Sequence, residues 1–75
     1  MTSIRISPLV ANDFLLSDNE TLSWFQKPGR YEMSAAEIAE LKAEAEYQAF
    51  ECDASPASTR RAYKNLLKQI EQAAA

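Results

Sequence analysis

Histidine is absent from this 75-residue chain. Its absence removes the commonest general acid–base and the usual activator of a serine or cysteine nucleophile. Zinc sites built on imidazole go with it. Cysteine occurs once, at Cys52, so no disulfide can form within the chain. Its place on an apolar helical stripe predicts a buried, inert thiol. Glycine also occurs once, at Gly29, whereas a phosphate-cradling loop needs several. No apolar run approaches the ~20 residues of a membrane span, and no basic N-terminus leads into an apolar stretch as in a secretory signal. These gaps predict a non-enzymatic protein with no cofactor and no metal, which keeps off membranes and resides in a reducing cytoplasm.

What remains is globular in composition, 47% hydrophobic and 25% charged. Residues 1–75 are enough for one small domain, which buries only about 60% of the surface its unfolded chain exposes. With no covalent staple, stability has to come from packing or from a partner.

The strongest local signal is SAAEIAELKAEAEYQAFEC, residues 34–52. Ser34 with Glu37 three residues on forms a capping box, and the strong helix formers behind it contain neither Gly nor Pro. Ile38, Leu41, Ala45, Ala49 and Cys52 recur on one stripe at helical spacing. Ala36, Ala39, Ala43, Tyr47 and Phe50 recur on a second, roughly opposite stripe. A helix with two apolar faces is expected to be covered on both. This makes 34–52 the central helix, with the N-terminal third against one face and a second helix against the other.

That second helix is expected over 55–73, with Ser55 as N-cap and Pro56 at the first helical position. Its apolar stripe is Thr59, Tyr63, Leu66, Ile70 and Ala73, widened by Ala62 and Leu67. The linker Asp53-Ala54 is so short that the two helices must run antiparallel.

Ahead of them, residues 3–33 read as a β-meander of two to four short strands. Alternation in SIRIS, residues 3–7, turns Ile4 and Ile6 inward. Leu9–Leu16 is open between a helix, capped by Ser7 with Pro8 behind it, and a strand from Asp13. Ser17-Asp18-Asn19-Glu20 is a turn cluster. Thr21–Gln26, β-branched and aromatic, predicts a strand with Leu22 and Trp24 on one face and Phe25 on the other. Pro28-Gly29 predicts a type II turn that returns Arg30–Met33 as its partner strand. The expected fold class is therefore α+β: a short N-terminal antiparallel β-meander packed against a C-terminal antiparallel helical hairpin.

Charge is partitioned along the chain. Residues 1–33 sum to −1, residues 34–52 to −4 and residues 53–75 to +2, which recovers the net −3. Glu37, Glu40, Glu44 and Glu51 line one ridge of the central helix, at a cost of a few tenths of a kcal/mol for each i,i+4 repulsion. Such a ridge is a solvated face or a docking surface for a basic partner. Only one of the adjacent Trp24 and Phe25 can face the helices. An exposed aromatic flanked by Arg5, Lys27 or Arg30 has the composition of an interface hot spot.

The leading expectation is a small regulator of phage or mobile-element type that docks on a larger host protein, such as RNA polymerase in transcription regulation, or on a defence complex. Arg5, Trp24, Lys27, Arg30, Glu37, Glu40 and Glu44 would form its partner-binding surface, with the protein itself a monomer. The alternative is a nucleic-acid-binding regulator using Arg60, Arg61, Lys64 and Lys68, whose i,i+4 row could neutralise phosphates. A further alternative is a structural subunit that self-associates through the second helix.

Overall fold

The computed structural model describes residues 1–74. The elements run β1 Thr2–Ile6, α1 Pro8–Leu15, α2 Glu20–Ser23, β2 Gly29–Met33, α3 Ala35–Glu46, a π-helical turn Tyr47–Glu51, and α4 Ala57–Ala74. The fold class is α+β, with an N-terminal antiparallel sheet and a C-terminal helical hairpin.

β1 forms where the alternation places it, and Ile4 and Ile6 are buried. The open question at Leu9–Leu16 resolves as a helix. Pro8 sits in its first turn, and the Ser7 hydroxyl accepts from the Val10 amide at 3.5 Å. That helix turns Val10, Ala11 and Phe14 into the core.

The expected strand over Thr21–Gln26 is corrected: its first part is the single helical turn α2. The Asn19 side chain accepts from the amides of Thr21 at 3.0 Å and Leu22 at 3.4 Å. This cap satisfies two orphan donors and outweighs the β preference of Thr, Trp and Phe, which reflects fit to a half-buried pleated surface that is missing here. The facing changes accordingly. Leu22 and Phe25, three apart, are both buried, whereas the strand reading put Leu22 beside Trp24.

The partner of β2 is corrected with it. β2 pairs antiparallel with β1, from Thr2 opposite Met33 to Ile6 opposite Gly29, with two helices lying between the strands in sequence. The entry to β2 needs its glycine, because Gly29 has φ +143°, which side-chain-bearing residues rarely adopt. Ile4, Ile6 and Met33 face the helices; Ser3, Arg5, Arg30 and Glu32 face solvent.

The capping box of α3 forms in full: the Ser34 hydroxyl accepts from the Glu37 amide at 3.3 Å, and the Glu37 carboxylate accepts from the Ser34 amide at 2.9 Å. The helix ends in a π turn, closed by the Cys52 amide donating to the Tyr47 carbonyl at 2.9 Å. Leu41, Ala45 and Ala49 are buried, as the first stripe predicts. The second stripe is corrected: Ala36, Ala39, Ala43, Tyr47 and Phe50 are all exposed, so α3 is covered on one face only. Among the described residues, one layer packs against α3 and no further element lies on its other side.

The hairpin turns back as expected, and Tyr63, Leu66, Leu67 and Ile70 of α4 are buried. Ser55, however, does not cap α4. Its hydroxyl lies 2.9 Å from Gln48 Oε1 and 3.5 Å from Cys52 Sγ, fastening the connection to the end of the preceding helix. The α4 ladder begins with the Arg60 amide donating to the Pro56 carbonyl at 3.0 Å.

Candidate protein-docking surface

α2 determines where the one tryptophan goes. Because Leu22 and Phe25 lie on the inner side of this turn, Trp24 between them must point out, and it is 82% exposed. Phe25, 5% exposed, stacks edge-on against Tyr31 with ring centroids 4.9 Å apart. The Tyr31 hydroxyl in turn donates to the Lys27 carbonyl at 2.6 Å. The turn that presents Trp24 is thus anchored from both ends, by the Asn19 cap and by the Phe25–Tyr31 contact. Trp24, Thr21 and Glu37 line a shallow hollow of about 300 Å³ between α2 and α3.

The acidic ridge is present, but its members differ. Glu37 is occupied in the capping box, and Glu44 accepts from the Gln48 amide group at 3.0 Å. Glu40 is exposed. Beside the ridge runs the uncovered stripe of α3, ending in Tyr47 and Phe50. The seven residues expected to form one surface therefore separate into two. Trp24 and Glu37 meet between α2 and α3. Arg5 and Arg30 stand opposite each other on the outer face of the sheet, where Arg30 Nη1 donates to Ser3 Oγ at 3.5 Å.

The basic row of α4 is less uniform than its spacing implies. Arg60 is half-buried, and among the described residues its Nε is buried without a hydrogen-bond partner. Arg61 faces a groove shared with Pro8 and Leu9. Lys64 lies over the Phe50 ring, 5.6 Å from its centroid, a cation–π contact that joins the two helices. Lys64 and Lys68 share their groove with Glu46 and Glu71, one acid for each lysine. That groove is close to neutral, whereas a phosphate-binding row requires excess positive charge.

Cys52 is half-buried, which corrects the expectation of a buried thiol. The Ser55 hydroxyl, with the backbone amides of Ala54 and Ser55, stabilises the thiolate and holds its pKa below the ordinary thiol value. No group of three His, Cys, Asp or Glu residues gathers as a metal site among the described residues, and no helix there is long and apolar enough to cross a membrane.

Exposure at Tyr47, Phe50, Leu15 and Leu16 escaped the sequence reading. Helical periodicity marks a stripe as apolar and is silent on whether anything covers it. No family model, curated protein or solved structure matches the chain.

Proposed function

We propose that this protein is a non-enzymatic binding module, resident in the cytoplasm, that acts by docking on a larger protein through the α2–α3 side. The observation that carries this reading is Trp24. The largest apolar side chain of the molecule is held out in solvent by a turn whose neighbouring residues are firmly anchored. An exposed aromatic on a rigid support loses little conformational entropy on binding, and tryptophan is the residue most enriched at interface hot spots. The uncovered stripe of α3 extends the apolar area, and Glu40 supplies charge at its border. The matching partner surface has an apolar pocket with basic residues at its rim. RNA polymerase and defence nucleases of a host are the partner types this reading favours, with the protein redirecting them by occupying a surface.

The experiment is affinity capture from host lysate with tagged wild-type protein and Trp24→Ala in parallel, with and without nuclease. The expected result is one large protein complex, retained after nuclease and reduced about tenfold or more by Trp24→Ala, the scale of a hot-spot truncation. Equal capture by the two proteins removes Trp24 from the interface. Recovery only through nucleic acid transfers the function to Arg60, Arg61, Lys64 and Lys68.

A further inference from the structure

The two edges of the sheet are treated differently. On β1, the outward backbone groups of Arg5 are taken by a side chain of α4. The Arg5 amide donates to Gln69 Oε1 at 2.6 Å, and Gln69 Nε2 donates to the Arg5 carbonyl at 3.1 Å. A carboxamide thus stands where another strand would pair. Because Arg5 spends both backbone groups on Gln69, it and Arg30 opposite form a non-hydrogen-bonded pair. The alternation of an antiparallel ladder then turns the N–H and C=O of both Arg30 and Glu32 away from β1. No hydrogen bond to those four groups occurs among the described residues. The β2 edge is therefore an open pairing template.

We propose that this edge pairs with the β2 edge of a second copy of the chain, antiparallel and two-fold symmetric, to give a continuous four-stranded sheet. Backbone geometry restricts the register, since outward-pointing residues must meet outward-pointing residues. Only three such pairings centre on this strand: Arg30 opposite Arg30, Glu32 opposite Glu32, or Arg30 opposite Glu32. The first two place like charges directly across the ladder, which is unfavourable. The third makes two identical Arg30–Glu32 pairs, one on each side of the symmetry axis, with four backbone hydrogen bonds between them.

The charge pattern within one chain points the same way. Arg5 and Arg30 are cross-strand neighbours of like charge on the solvent face, and Ser3 is the neutral contact that Arg30 reaches. In the pair, the partner's Glu32 flanks Arg30 on its other side, so each row reads Arg5, Arg30, the partner's Glu32, the partner's Ser3. The self-complementary patch is what a closed two-fold interface needs. It involves five residues per chain, a contact in the weak, transient class, with a Kd of about 0.1–1 mM. Neither Arg30 nor Glu32 lines the Trp24 hollow, so charge reversals at these two residues test this pairing and Trp24→Ala tests the docking surface.

The test is sedimentation equilibrium from about 10 μM to 1 mM protein, a range chosen to bracket a weak pair. Amide exchange is followed at both ends of the range. The mass of wild type is expected to rise from 8.4 kDa toward twice that value. Arg30 and Glu32 amides gain protection at high concentration, while the Tyr31 amide, already paired with β1, stays as it is. Arg30→Glu and Glu32→Arg each weaken association about tenfold or more, since each sets like charges opposite each other twice. Arg30→Glu also places an acid across from Arg5, so loss of folding does not confuse the reading. An equimolar mixture of the two variants associates again, because one chain then carries two acids and the other two bases at the edge. A constant 8.4 kDa mass, indifference to the single reversals, or a mixture that stays apart overturns the proposal.

Discussion

The Tyr63 hydroxyl donates to Asp13 Oδ2, and by this bond α4 is tied to α1 across a sequence separation of 50. The ring is fully buried and lies 6.4 Å from that of Phe14, so the phenol has no water to turn to. Burial first, and then the bond to the Asp13 carboxylate, raise the Tyr63 pKa well above its ordinary value. The sign of the linkage follows. A group with a raised folded pKa contributes fully below its unfolded pKa, about 10 for tyrosine, and the contribution falls as pH climbs past that value. Stability should therefore decline above about pH 10, by at most ~1.4 kcal/mol per pH unit from this one residue. Tyr63→Phe should cost about 1–2 kcal/mol at neutral pH through the lost hydrogen bond. It should also flatten the alkaline decline. Urea titrations of both proteins at pH 7 and pH 11 check this, and parallel pH profiles would mean that Tyr63 ionises freely in the fold.

Among the elements, α2 is the one on which the surface depends and the one whose sequence is hardest to read. Its residues have strand-like side chains, and pairs of adjacent aromatics suit a pleat as well as a turn. The Asn19 cap and the three-residue spacing of Leu22 and Phe25 were both available in the sequence. They span one turn only, too little for periodicity to outvote propensity. α3 and α4 were legible because each carries several turns of repeating apolar positions and a strong start signal at Ser34 or Pro56. The helical geometry of α2 makes a sharp prediction. Phe25→Ala should cost about 3–5 kcal/mol, as for other buried aromatics. Trp24→Ala should stay within about ±0.5 kcal/mol, as at an exposed position. Thermal unfolding of the two variants compares them directly. A large loss on Trp24→Ala would place that ring in the core and remove the basis of the proposed docking surface.

For the whole molecule, the decisive contacts join the two ends of the chain, and these were the least legible. Ile4 and Ile6 can be assigned an inward face from alternation alone. Nothing in the local pattern tells β1 that its partner is β2 beyond two intervening helices, since register between distant strands is set by what the finished core accepts. The candidate site divides the same way: the composition marks Trp24, Arg5 and Arg30 as surface residues of interest, but their separation onto two faces comes from the topology. Gln69 belongs to this level too. One carboxamide, 64 residues away from Arg5, takes both outward backbone groups of Arg5 and docks α4 on the sheet. Gln69→Leu leaves an apolar side chain one bond shorter and removes both hydrogen bonds. It should cost about 1–2 kcal/mol, because the freed backbone groups lie at an exposed edge where water replaces the amide. In a domain of this size that lowers Tm by about 4–8 °C per kcal/mol. The second consequence concerns assembly. With Gln69 in place, the outward groups of Arg5 are taken and β1 offers only those of Ser3, too few for a ladder, so pairing stops at two chains. With both edges open, β1 can pair in turn, and association becomes open-ended. Light scattering at high protein concentration should therefore show species larger than a pair for Gln69→Leu and none for wild type. If the variant loses stability yet still stops at two chains, α4 itself shields the β1 edge and the carboxamide serves only to hold the helix down.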